Sequence, residues 1–143
     1  QKKGAPNNLA ISKVEGKQQL LIVDDNIDLR NLVTEFLKAD FNMLQADNGL
    51  EALAVLGRES VDLILSDVVM PEMDGYELCL NTRQDKRFAG IPFLFLTGKV
   101  SSDEKVKGLE CGADGYIEKP FTPEYLMSKI RNVLEKRTSL KHI

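Results

Sequence analysis

The chain has 143 residues, 43% of them hydrophobic and 29% charged, which is the size and balance of one globular domain and excludes wholesale disorder. The net charge of −3 is unevenly spread: residues 1–18 and 131–143 each carry +3, so residues 19–130 carry −9, a body that argues against binding a nucleic-acid phosphate backbone. Apolar runs of four, at 20–23 and 93–96, fall far short of the about 20 residues that cross a bilayer, and no charged-then-apolar leader opens the chain, so membrane contact is not expected.

Residues 1–18 hold Gly, Pro, Asn and Lys without a period and read as a linker or remnant. Leu20–Val23 is a short apolar run, the mark of a buried strand. Leu29, Leu32, Val33, Phe36 and Leu37 follow at the spacing of one helix face. Phe41–Ala46 reads as a strand, at an edge because Asn42 and Gln45 are polar. Asn48 and Glu51 form a capping box for a helix carrying Ala52, Leu53 and Leu56, with Gly57 as its stop. Val61–Ser66 is a strand. Asp74 and Glu77 cap a helix that buries Leu78 and Cys79. Phe93–Leu96, entered through Pro92, is a continuous apolar strand. Ser101 and Glu104 cap a weak helix interrupted by Gly108, and Tyr116–Glu118 is a short strand. Thr122, Pro123 and Glu124 open a last helix with Leu126, Ile130, Val133 and Leu134 inward. Strict alternation implies βαβ units: a flavodoxin-like (βα)5 three-layer α/β sandwich, its five parallel strands in order 2-1-3-4-5 with helices on both faces.

Cys79 and Cys111 fit no metal knuckle and read as small buried hydrophobes in a reducing compartment, and the lone His142 cannot build a zinc site or a His-based triad. In such a sheet, ligands bind at the carboxyl ends of the strands. Those ends lead into Asp24 and Asp25, Asp67, Thr97, and Lys119. Three carboxylates crowded together shift toward protonation unless a cation intervenes. Lys119 supplies one positive charge and a divalent ion the rest; hard oxygen ligands select Mg2+ over Zn2+. Mg2+ favours phosphoryl oxygens, yet no Gly-rich phosphate loop holds a nucleotide. What remains is a phosphoryl group carried on a protein carboxylate, with Lys119 and the Thr97 hydroxyl orienting it.

The segments LLIVDDN at 20–26, DLILSDVVMPEMDGYEL at 62–78, FLFLTG at 93–98 and GADGYIEKPF at 112–121 resemble the receiver domain of two-component response regulators, in that family's order and spacing. The resemblance covers residues 19–136. It places a receiver domain at 19–137 and leaves 138–143 as a C-terminal linker stub. It implies that Asp67 accepts the phosphoryl group, that Asp25 and Asp67 bind Mg2+ directly, Asp24 through water, and that the Val69 backbone carbonyl completes the protein ligands. Thr97 and Lys119 would contact the phosphoryl group, Lys119-Pro120 would be a cis peptide, and Tyr116 would be the aromatic switch that follows Thr97. Val69 and Lys99 would flank the path of an attacking water and set the phosphoryl lifetime.

A receiver takes its phosphoryl group from a histidine kinase and passes the change to an output domain or downstream protein. The fourth helix, fifth strand and fifth helix would carry it, a face that leaves room for a homodimer. The module would be cytoplasmic and no enzyme beyond self-phosphorylation and autodephosphorylation. With no initiator Met and basic ends, the chain reads as excised from a hybrid sensor kinase or multidomain regulator. Among rivals, an Asp-nucleophile phosphatase of the haloacid dehalogenase kind wants a second Asp where Val69 stands. A flavodoxin-like electron carrier wants a Ser/Thr/Gly-rich loop where Asp24, Asp25 and Asn26 stand. A docking module that is never phosphorylated would not need the full acidic set.

Overall fold

The computed structural model describes residues 15–98 and 101–141. The first 14 residues of the expected leading linker, Lys99 and His142 lie outside them. In chain order the elements are β1 (Gln19–Val23), α1 (Ile27–Leu37), β2 (Asn42–Ala46), α2 (Gly49–Arg58), β3 (Leu63–Ser66), α3 (Gly75–Gln84), β4 (Phe93–Thr97), α4 (Ser102–Cys111), β5 (Gly115–Glu118) and α5 (Pro123–Lys141). The strands form one parallel sheet of order β2-β1-β3-β4-β5, the flavodoxin-like arrangement expected from the alternation.

The sheet is buried on both faces, which is why β1, β3 and β4 read as unbroken apolar runs. Successive side chains on a strand point to opposite faces. Leu21, Val23, Ile64, Phe93 and Phe95 pack under α2 and α3, while Leu20, Ile22, Leu63, Leu65, Leu94 and Leu96 pack under α1 and α5. Each fully buried Leu, Ile or Phe contributes about 1.5–3 kcal/mol. Both cysteines are free and buried in the first of these layers. Among the described residues no helix is long and apolar enough to cross a membrane.

Three details differ from the sequence pattern. Asn48 caps α2 through the Glu51 amide, but the Glu51 carboxylate reaches back to the Asp47 amide, one residue before the cap. Gly57 lies inside α2 rather than ending it; the chain leaves the helix at Glu59 in an extended conformation. Helix α5 runs on to Lys141, past residue 137.

Candidate functional site

The carboxyl ends of the central strands are brought level by their register. Val23 pairs with Ser66, Ser66 with Phe95, and Thr97 with Glu118. The next residues must therefore emerge along one edge. The Asp67 amide donates to the Val23 carbonyl at 2.9 Å, the Asp24 amide to Ala46 at 3.1 Å, and the Lys119 amide to Thr97 at 2.7 Å. These ladder bonds continue past the strands and fix where the three side chains begin.

Asp24 is 1% exposed, Asp67 is partly buried and Asp25 is exposed, and one carboxylate oxygen from each lies within 4.8 Å of the others. Asp24 Oδ1 accepts the Asn26 amide at 2.8 Å, and Asn26 in turn caps α1 by accepting from Asp28 and Leu29. Asp24 Oδ2 is buried and, among the described residues, has no hydrogen-bond partner. Asp67 Oδ1 accepts the Val68 amide at 2.8 Å. Lys119 Nζ stands 3.7 Å from Asp24 Oδ2 and 3.9 Å from Asp67 Oδ1. The Lys119-Pro120 peptide is cis. Thr97 closes β4 and is buried. The Val69 side chain is exposed, and among the described residues its carbonyl accepts no hydrogen bond.

Burial pushes the Asp24 carboxyl above the ordinary 3.8; the Asn26 amide pulls against that rise, and the neighbouring Asp67 charge adds to it. Desolvation thus outweighs the crowding that the sequence pointed to. Among the described residues three carboxylates face one ammonium, and one buried oxygen lacks a donor. A hard cation with oxygen ligands fits this donor set.

Tyr116 lies inward. Its ring stacks beside Phe95, with centroids 5.1 Å apart, and its hydroxyl donates to the Glu104 carbonyl in the first turn of α4. The Tyr76 hydroxyl meets the Tyr116 hydroxyl at 3.2 Å, and Gly108 leaves the space that Tyr116 needs, since a Cβ there would collide with the Tyr116 hydroxyl and lie 2.8 Å from its ring. Burial holds both phenols above their ordinary value. Gly75 plays a similar part under the acidic cluster: a Cβ there would strike the Asp67 carbonyl oxygen and lie 3.0 Å from the Val68 Cα.

The sequence pattern did not mark Tyr76 or Arg30. Tyr76 stands two residues after its helix cap, an aromatic whose only signal was its size. Arg30 lies off the apolar face of α1, where its Nη1 donates to the Asp24 carbonyl at 2.6 Å and its Nε to Gln45 Oε1 at 3.0 Å.

A family model described as the response regulator receiver domain matches residues 20–131. The chain is 44% identical to Histidine kinase P4 of Formosa agariphila over 125 residues, 87% of this chain and 9% of that protein. It is 39% identical over 117 residues to the probable transcriptional regulator ycf29 of Pyropia yezoensis, covering 81% of this chain and 53% of that one. The chain therefore spans about half, or far less, of these relatives. Among solved structures, the chemotaxis protein CheY4 of Vibrio cholerae superposes with a TM-score of 0.80 at 36% identity, over 82% of this chain and 99% of that one. The family match over most of the chain, the shared sheet order and the strand-end carboxylates agree, and the chain belongs to the receiver domains of two-component response regulators, the modules of phosphorelay signalling.

Proposed function

We propose that Asp67 accepts a phosphoryl group from the phosphohistidine of a histidine kinase in the cytoplasm, and that the change is passed to an output domain or downstream protein. The observation that carries this reading is the acidic cluster: three carboxylates within 4.8 Å of one another, a buried Asp24 oxygen without a donor, and Lys119 between Asp24 and Asp67. Asp24, Asp25, Asp67 and the Val69 carbonyl would hold Mg2+, which supplies charge neutralisation for phosphoryl oxygens when bound.

In the transfer, a carboxylate oxygen of Asp67 forms the O–P bond as the N–P bond breaks and its electron pair leaves on the imidazole nitrogen. The Val68 amide holds the other carboxylate oxygen in place. Lys119 balances charge on the incoming group, and the Thr97 hydroxyl, at the end of the neighbouring strand, donates to one of its oxygens. That contact draws the loop after β4, and the inward Tyr116 ties the same region to α4 through the Glu104 carbonyl. The face formed by α4, β5 and α5 is the surface we assign to output. Incubation with Mg2+ and acetyl phosphate, followed by borohydride reduction and peptide mapping, should label Asp67. Label at another residue, or in Asp67→Asn, would refute the assignment.

A further inference from the structure

The structure assigns Arg30 a positioning role for the acidic cluster: it ties the backbone of Asp24 to strand β2 and so holds the Asp24–Asp25 pair in the arrangement that receives a divalent cation. This rests on the reading of that cluster as a Mg2+ site. Asp24 and Asp25 follow the last residue of β1, where the sheet's own hydrogen bonds run out after the Asp24 amide. Among the described residues no strand amide donates to the Asp24 carbonyl. Arg30, one turn into α1, fills that place with a charge-assisted bond of 2.6 Å from Nη1. Its Nε donates to Gln45 Oε1 at 3.0 Å. Gln45 is itself fixed, since Nε2 donates to Asn31 Oδ1 at 3.2 Å and to Thr34 Oγ1 at 3.0 Å, both on α1. One planar guanidinium thus joins the β1–α1 turn to an anchored residue of β2. A lysine, with a single ammonium, does not reproduce the two directed bonds.

The guanidinium acts through the backbone. Among the described residues it has no carboxylate within ion-pair distance. Charge and position then predict opposite signs. As a bare cation near three carboxylates, Arg30 would oppose Mg2+, and its removal would tighten binding. As a strut, its removal loosens the ligands and weakens binding, on the order of tenfold, the low end of what is lost when groups behind metal ligands are removed.

The test is calorimetric titration of Mg2+ into the wild type, Arg30→Gln, Arg30→Lys and Gln45→Leu, with folding checked by circular dichroism in EDTA. The expected order of dissociation constants is wild type lowest, then Gln45→Leu and Arg30→Lys, then Arg30→Gln about tenfold higher. In acetyl phosphate assays the Arg30→Gln deficit should shrink as Mg2+ is raised toward saturation. Should Arg30→Gln fail to fold, Arg30→Lys and Gln45→Leu decide, and wild-type affinity in both overturns the role. Tighter binding by Arg30→Gln overturns it as well. A wild type that binds no Mg2+ overturns this role together with the metal reading, whereas a binding wild type with unaffected variants overturns this role alone.

Discussion

Replacing Asp24 with Asn should make the metal-free domain more stable. The carboxylate is 1% exposed, with Lys119 Nζ 3.7 Å from Oδ2. At an effective dielectric constant of about 20 that attraction is about 4.5 kcal/mol. The Asp67 carboxylate, within 4.8 Å, repels by about 3.5 kcal/mol on the same scale, and exposed Asp25 adds a water-screened share. Attraction and repulsion nearly cancel. What is left is the desolvation of Oδ2, which has no hydrogen-bond partner among the described residues and costs about 1–3 kcal/mol. Asn keeps an oxygen for the Asn26 amide and replaces Oδ2 with a donor beside Asp67. The expected gain of about 1–3 kcal/mol corresponds to a melting midpoint raised by about 3–10 °C.

The pH dependence carries the same sign. Burial holds the Asp24 carboxyl above its ordinary 3.8, so the native state binds that proton more tightly than the unfolded chain does. The Asp24 contribution to metal-free stability therefore rises as pH falls through the raised folded value, and the rise is complete at the unfolded value of 3.8. Asp24→Asn lacks it. Urea melts in EDTA from about pH 7 down to about pH 4 measure both effects. Saturating Mg2+ should reverse the ranking, stabilising the wild type by binding its native state and leaving the variant nearly unchanged. A variant less stable than wild type in EDTA, or one whose stability rises as steeply with acidification, would show that Asp24 is not a strained buried charge.

Gly75→Ala forces a Cβ against the Asp67 carbonyl oxygen and the Val68 Cα, neither of which can swing away; a loss of about 1–3 kcal/mol in urea melts is expected, and an unchanged midpoint would contradict the close approach. Gly108→Ala should also destabilise the domain and shift the Tyr116 ring resonances, because its Cβ meets the Tyr116 ring; a gain near the ordinary helix-interior value of about 1 kcal/mol would contradict that packing. Thr97→Ala should still label Asp67 with acetyl phosphate, while the amide shifts that beryllofluoride and Mg2+ produce around Val106, Leu109 and Tyr116 disappear; their persistence would remove Thr97 from the switch.

The order and type of every element were legible because burial on both sheet faces demands apolar runs and because α2 to α5 begin at side-chain caps on Asn48, Asp74, Ser101 and Thr122. Gly57 misled as a stop because a glycine ends a helix only where the chain turns left-handed, and α2 instead exits extended at Glu59. The carboxylates were legible because their position after a strand fixes where they emerge. Arg30, Tyr76 and the packing of Gly75 were not, and the reason is common to all three. Their partners are backbone carbonyls, of Asp24, Glu104 and Asp67 respectively. Every residue carries a carbonyl, so no residue type signals which one will be used.

Gly108 shows how the same residue reads differently once its partner is known. By propensity it weakens α4, and a thin apolar face agrees: only Gly108 and Cys111 of that helix are buried. In the fold the missing side chain is what α4 contributes to packing. The Tyr116 ring occupies that space, its hydroxyl on Glu104 and against Tyr76, and Phe95 stacks with both rings at 5.0 and 5.1 Å. The hold of α4 on the domain's core therefore passes through this tyrosine, through Tyr76 and through buried Cys111, whose carbonyl accepts from the Cys79 thiol at 3.3 Å. Moving that ring would remove one of these few contacts, a larger share than a helix with a broad apolar stripe would lose. Such a weakly anchored helix, beside an aromatic residue three positions before Lys119, is the element that we propose a displacement at the acidic cluster would shift.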